Sequence, residues 1–243
     1  MVVVTQPISA QNHSLSFDGV DDYVEIPNSP TLQNLSELTV EAWFNVNSLD
    51  FSTGWMAILM KGEGSNNGYG FMIQDEVFVN SGFFTFYLPP YVPFIDSYTT
   101  SLELDTYYHI AGVATDSTRT VYINGIEVWS EPYTQLDVGE ESIYIGSATP
   151  TSSHAYPFYG SIDEVRIWNQ ARSISQIQSN MNNEITGSEE GLVGYWDFNE
   201  GSGNTLTDLS GNGNDGTIYG ATWSTDAPPI HNSFIHVSTT GND

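Results

Sequence analysis

A chain of 243 residues with 39% hydrophobic and 13% aromatic content is long enough for one large all-β domain with a sizeable core. Its charge is lopsided, with 30 acidic residues against 4 basic and a formal net charge of −26. Four cationic side chains (Lys61, Arg119, Arg166 and Arg172) are too few to neutralise a phosphate backbone or an anionic bilayer, so nucleic acid and charged membrane surfaces are excluded as partners. Apolar runs of transmembrane length are absent, so no membrane insertion is expected, and without cysteine there are no disulfides. So much negative charge makes the compact state repel itself, and bound divalent cations in a saline or calcium-rich milieu would relieve the repulsion.

The start, Met1-Val-Val-Val-Thr-Gln-Pro-Ile-Ser-Ala10, is similar to the tail of a secretory signal peptide with Ala10 before the cleavage point. It lacks the basic start and most of the apolar core, so an ordinary strand or an added leader reads equally well over 1–12. Period-two alternation then dominates. Strands are expected at 14–18 and 22–26, and at 37–46. In this last one Leu38, Val40, Ala42, Phe44 and Val46 share one face, while Thr39, Glu41, Trp43 and Asn45 share the other. Further strands follow at 55–61, 69–74, 83–88, 107–114, 119–124, 142–146, 158–168, 192–198 and 216–219. Gly, Asn, Ser and Pro clusters separate them. Asn124-Gly125 between Val121-Tyr-Ile and Ile126-Glu-Val predicts a type I′ hairpin, because both turn residues must tolerate positive φ. One short helix is predicted after Ser173 as cap, with Ile174, Ile177 and Met181 on one face, packed over an end of the molecule.

Many short strands with a single helix indicate two stacked antiparallel sheets, a jelly-roll β-sandwich spanning 13–225. From 226 the character changes: Asp226-Ala-Pro-Pro-Ile reads as a linker, and Phe234-Ile-His-Val-Ser-Thr-Thr-Gly-Asn-Asp243 as the first strand of an attached domain. That strand resembles the opening of secreted parallel β-helix proteins.

Seven segments stand in order along the chain. They are Leu15-Ser-Phe-Asp-Gly-Val-Asp-Asp-Tyr-Val-Glu-Ile-Pro27, Leu38-Thr-Val-Glu-Ala-Trp43, Tyr107-Tyr-His-Ile-Ala-Gly-Val-Ala114 and Val121-Tyr-Ile-Asn-Gly125. Gly160-Ser-Ile-Asp-Glu-Val-Arg-Ile-Trp168, Gly191-Leu-Val-Gly-Tyr-Trp-Asp-Phe198 and Asp208-Leu-Ser-Gly-Asn-Gly-Asn-Asp-Gly216 complete the series. Together they resemble the laminin-G-like family of the concanavalin-A-like superfamily, in its bacterial, pentraxin-like branch. In many relatives the last two precede the first. Their order here resembles a circular permutation, which requires chain ends that lie close together. The resemblance implies a secreted or cell-surface, lectin-like binding module without chemistry. Trp43, Trp168 and Trp196 stand at the family's recurrent strand positions, where packing is the expected role. Relatives include sugar-binding modules, adhesion domains and spacers, so a spacer or a module with a protein partner remains an alternative to a glycan binder.

Calcium takes six to eight oxygens from carboxylates, Asn side chains and carbonyls. The turn from Asp208 through Asn212, Asn214 and Asp215 is rich in such oxygens, and Asp18 with Asp21 forms a second acidic turn. Asp163 lies in an otherwise apolar strand and should have a partner, because an unpaired buried carboxylate is costly. The expectation is that Asp163 joins one or both turns around a structural calcium. Alternatively it pairs with Arg166 or accepts from backbone amides.

Sugar recognition needs exposed aromatic rings with polar groups beside them. Three loops supply both: Tyr87, Tyr91, Phe94 and Tyr98 with Asp96; His154 with Tyr156; and Trp55 with the segment ending at Tyr69. These rings could instead fold back over sheet edges. A glycosidase or lyase would need two carboxylates across a cleft, and Glu41 and Glu164 are the strays available on strands. Nucleophile elbows and metal-spaced histidines are absent.

Overall fold

A computed structural model describes residues 12–33, 35–49, 54–62, 67–75, 82–88, 99–100, 102–134, 136–150 and 155–230. In chain order the strands are β1 (Ser14–Asp18), β2 (Tyr23–Ile26), β3 (Leu38–Val46), β4 (Trp55–Lys61), β5 (Tyr69–Asp75), β6 (Gly82–Tyr87), β7 (Thr99–Thr100) and β8 (Tyr108–Ala114). They continue as β9 (Thr118–Ile123), β10 (Ile126–Pro132), β11 (Ile143–Ile145), β12 (Tyr159–Trp168), β13 (Leu192–Trp196), β14 (Thr205–Leu206), β15 (Gly216–Tyr219) and β16 (Thr222–Ser224). The helix α1 (Ile174–Asn180) lies between β12 and β13.

Two antiparallel sheets stack face to face. The first runs β10-β9-β8-β3-β12-β1-β16, with β13 also paired to β12, and the second runs β14-β15-β2-β11-β4-β5-β6-β7. Alternation explains the core between them. Leu15, Phe17, Leu38, Val40, Ala42, Phe44, Ile110, Ile162, Val165 and Ile167 point inward from the first sheet, and Val24, Ile26, Ile58, Phe71, Phe84, Ile143 and Ile145 from the second. The hairpin between β9 and β10 turns on Asn124 (φ 49°) and Gly125 (φ 71°), both in the left-handed region as a type I′ turn requires.

The ends of the described chain meet. β16 pairs with β1, Ser14 Oγ donates to Asp226 O at 2.6 Å, and Asn12 Nδ2 donates to Pro228 O at 2.9 Å. This closeness is what a permuted strand order needs.

The helix has the predicted cap: Ser173 accepts from Gln176 N while the Gln176 side chain accepts from Ser173 N, a complete capping box. Its position differs from the expectation. It lies over the outer face of the first sheet rather than over an end of the sandwich. Ile177 packs on Ala111, Val113 and Tyr122, Gln178 bonds Gly125 O, and Ile174 is left exposed. All nine residues of β3 are therefore buried, the polar face included.

Candidate functional site

The outer face of the first sheet, under α1 and the segment that follows it, is a buried polar layer. Glu41 is fully buried at its centre. Its Oε1 accepts from Trp168 Nε1 at 2.7 Å, and its Oε2 lies 3.3 Å from His109 Nε2. Burial pushes its carboxyl up, but His109, Arg166 and Arg172 together outweigh this and hold it below the usual range. The Arg172 guanidinium stands over the Trp168 ring, its Cζ 3.7 Å from the centroid. Glu164 pairs with Arg166 and accepts from Tyr195 Oη at 3.1 Å; Arg166 also donates to the carbonyls of Asn180 and Asn183, anchoring the end of the helix. Glu41 and Glu164 are sealed from solvent, so they do not flank an open cleft.

Asp163 lies in the same layer. Between Asp163 and Arg166 the strand bulges, with Glu164 in the left-handed region at φ 52°. The bulge turns Asp163, Glu164 and Arg166 all to the outer face. Asp163 Oδ1 accepts from Glu164 N at 2.7 Å, and Oδ2 has no hydrogen-bond partner among the described residues. Arg166 pairs with Glu164 and not with Asp163. Burial, then the neighbouring Glu164 and Asp197, push the Asp163 carboxyl well above the usual range.

The acidic turns lie elsewhere. Asp208 already has its acceptor positions filled by its own turn: Oδ1 accepts from Tyr195 N and Ser210 N, and Oδ2 from Ser210 Oγ and Asn214 N. Asp215 accepts from Asp208 N, and Asn212 donates to the carbonyl of Val193. Asn214 accepts from Ser29 Oγ and donates to Val193 O, while its carbonyl receives Trp196 Nε1 at 3.0 Å. This turn is a hydrogen-bonded clasp holding β13 to the segment before β3. The turn between β1 and β2 is different: the carboxylate oxygens of Asp18, Asp21 and Asp22 lie within 4.8 Å of one another. Among the described residues that is the one group of three acids or histidines so close, and neither Asp163 nor Asp208 belongs to it. The ligand set expected from sequence is therefore not gathered in one place.

The aromatic residues are gathered more closely than the sequence suggested. Trp55 opens β4, and Tyr156 stands on the segment leading into β12; Ala57 N donates to Tyr156 O at 2.9 Å, and the two rings lie 6.4 Å apart. Residues assigned to two separate platforms thus form one half-buried pair on the outer face of the second sheet, seated on Ala57, Met60, Met72, Tyr87 and Ala148. Tyr156 has φ 48°, a left-handed conformation costly for a bulky residue and held here by that backbone bond. Tyr69 is a correction: it opens β5 with its side chain inside the sandwich, fully buried, and burial pushes its phenol far up. Tyr91, Phe94, Asp96, Tyr98 and His154 lie outside the described residues.

Sequence reasoning missed a second aromatic group on the same face. Tyr23 and Tyr219, opposite each other on β2 and β15, stack at 4.6 Å, and Tyr144 on β11 meets Tyr23 edge-on at 6.1 Å. The signal was present in Tyr23-Val-Glu-Ile26, Ile143-Tyr-Ile145 and Gly216-Thr-Ile-Tyr219, where alternation sets each tyrosine opposite a core residue.

Comparison with known proteins agrees with this architecture. A protein from Bacteroides ovatus, described as a candidate carbohydrate-binding protein, superposes with a TM-score of 0.67 at 22% identity over 90% of this chain, which spans 61% of that protein's length. A heptameric SAP-like pentraxin from Limulus polyphemus gives 0.54 at 14% identity, covering 70% of this chain and 82% of its own. Domain 4 of an extracellular family-43 arabinanase from Geobacillus stearothermophilus, solved with arabinotriose, gives 0.51 at 18% identity, covering 68% and 75%. Identities this low speak to fold alone. No curated protein matches. The family model for the concanavalin A-like lectin/glucanases superfamily matches residues 18–178, from the acidic turn before β2 to the middle of α1. With the two-sheet sandwich and its order of strands, that match shows that the chain belongs to the concanavalin A-like lectin/glucanases superfamily.

Proposed function

We propose that this chain is a non-catalytic carbohydrate-binding module. The observation that carries the reading is the Trp55–Tyr156 pair. Two large rings stand half exposed on a sheet face, on a packed apolar bed, and one is held in a strained backbone conformation. Preset rings of this kind lose little entropy when a sugar face stacks on them. The named candidate acids Glu41 and Glu164 serve the buried layer instead, which favours binding over hydrolysis. The carbohydrate-binding description of the Bacteroides ovatus protein and the arabinotriose bound to the arabinanase domain point the same way.

A structural calcium is part of this reading. Of the acidic groups, the turn carrying Asp18, Asp21 and Asp22 fits an ion, because its carboxylates are close and two of them are exposed. Asp208 and its neighbours fit poorly, since their oxygens are already engaged. An ion at the first turn would supply charge neutralisation to a strongly acidic surface. Secretion or cell-surface display, and delivery of an attached C-terminal domain to polysaccharide, complete the proposal.

Affinity electrophoresis through gels containing soluble polysaccharides tests it. The protein should be retarded by at least one polysaccharide, and Trp55→Ala should remove the retardation without altering the circular dichroism. Equal retardation of Trp55→Ala and the parent protein would overturn the assignment of the site.

A further inference from the structure

We propose that the tyrosine ladder Tyr219–Tyr23–Tyr144 is a second contact surface for the same ligand, and that this ligand is an uncharged, extended polysaccharide. The inference rests on the glycan reading above and narrows its ligand class.

The ladder runs across the strands rather than along them. β15, β2 and β11 are consecutive neighbours, so its three rings span two strand spacings, about 10 Å. Tyr219 is 43% exposed, and Tyr23 and Tyr144 are half-buried. Polar groups stand in the adjoining row: Thr217 faces Glu25, and Glu25 faces Tyr144. Glu25 Oε1 accepts from Ser142 Oγ at 3.1 Å and stays half-exposed beside the rings. The stacked rings expose apolar edges and phenol groups, and with a carboxylate and a hydroxyl alongside they offer a sugar apolar contact and hydrogen bonds together.

Continuing across the sheet, Tyr144 pairs with Met60 on β4, the strand that opens with Trp55. Trp55 precedes Met60 by four or five strand positions, which places the two aromatic groups about 15 Å apart on one face. A mono- or disaccharide can touch one group. Only a longer chain reaches both.

Charge decides the class of chain. The protein has four Lys and Arg residues, and all four are buried: Lys61 at 0% exposure, Arg119 at 3%, Arg166 at 1% and Arg172 at 7%. Each is also engaged, Lys61 with Asn28 Oδ1 and Glu141 O, Arg119 with Glu131, Arg166 with Glu164, and Arg172 over Trp168. No lysine or arginine is left on the surface to meet a uronate or sulfate, while 30 acidic residues repel one. A neutral chain avoids both penalties.

The test uses the intact chain, its Tyr144→Ser/Tyr219→Ser double variant and Trp55→Ala. Probes are soluble arabinan, xylan and β-glucan as neutral polymers with calcium present, polygalacturonate and alginate as acidic ones with chelator present, and a disaccharide from whichever neutral polymer binds. The double variant should weaken binding of that polymer ten-fold or more and leave disaccharide binding unchanged, while Trp55→Ala weakens both. Acidic polymers should not bind. If Trp55→Ala loses binding and the double variant keeps it, the ladder is no contact surface and only this inference falls. If no neutral polymer binds the parent protein, this inference and the glycan reading fall together. Binding of an acidic polymer under chelation overturns the ligand class. A parent protein that sediments as a dimer, with a monomeric double variant, makes the occupant a second copy of the chain and overturns the proposal.

Discussion

Asp163→Asn separates two descriptions of the buried layer. Asp163 is fully enclosed, with one oxygen bonded to Glu164 N and the other without a hydrogen-bond partner among the described residues. Arg166 is committed to Glu164. A single guanidinium beside two adjacent carboxyls favours ionising the one it touches. Glu164, pushed up mainly by burial and only partly rescued by Arg166, titrates at about 7, and Asp163 stays protonated well above its ordinary value. Both native carboxyls thus hold protons that the unfolded chain releases near 3.8 and 4.5. A raised folded-state value gives stability that is full below the unfolded value and is lost as pH rises through the folded one. The wild type should therefore weaken between about pH 4 and 7, by up to about 1.4 kcal/mol per pH unit for each proton retained.

Asparagine preserves the shape and the Oδ1 acceptor but carries no titrating proton. At pH 4.5 the variant should match the wild type to within about 1 kcal/mol. Its advantage should then grow as pH rises, by up to about 1.4 kcal/mol per pH unit for as long as the native Asp163 keeps its proton. Urea unfolding at pH 4.5, 5.5, 6.5 and 7.5, with a constant m-value, reads this directly. A difference that stays flat with pH would refute the protonated assignment. A variant several kcal/mol weaker at pH 7 would show that an ionised Asp163 is neutralised in the native state, as a bound cation would do.

Other outcomes follow from the same geometry. Glu41→Ala should cost about 3–5 kcal/mol in urea unfolding, because it strands the Trp168 indole and leaves His109 and Arg172 buried without their acid. An unchanged midpoint would mean the layer is hydrated. Asn124→Ala should cost about 1–2 kcal/mol through its left-handed conformation and the lost bond from His109 N to Asn124 Oδ1, whereas Asn124→Gly should recover part of that loss. If calcium occupies the turn of Asp18, Asp21 and Asp22, chelation from a hundred-fold excess over Kd should remove about 2.7 kcal/mol and lower the Tm by about 5–10 °C. Asp21→Asn should lose most of that response, and a Tm unmoved by thorough chelation would exclude a structural ion.

Much of the sandwich was legible because alternation in strands such as Leu38–Val46 assigns faces one residue at a time. The turn at Asn124-Gly125 and the cap at Ser173 were legible for a similar reason, since each needs only local chemistry. What alternation could not give was the fate of the second face. It marked Glu41 and Trp43 as facing away from the core, yet α1 and the chain behind it bury both. Strands too short to alternate, such as β14 and β16, showed no signal until β15 and β1 paired with them.

Asp163 shows why the site was harder to read than the fold. In a regular strand Glu164 would face inward between Asp163 and Val165. With Glu164 in the left-handed region the strand gains a residue, and three charged side chains share the outer face while Val165 keeps the core. Sequence marks an acid in an apolar strand but not the bulge that supplies its neighbours, so its surroundings were assigned to the wrong turns. The aromatic pair depends on the same kind of long-range event. Trp55 and Tyr156 are distant in sequence, and they meet because the chain leaving β11 returns along β4, with Gly146 N on Ile58 O and Tyr156 O on Ala57 N. Gly146, at φ 79° with the Phe17 ring where a side chain would stand, makes that departure possible. Composition tells which residues can stack on a sugar; only strand pairing tells which of them stand together, and here it sets Trp55, Tyr156 and the tyrosine ladder on one face, while every lysine and arginine is buried elsewhere.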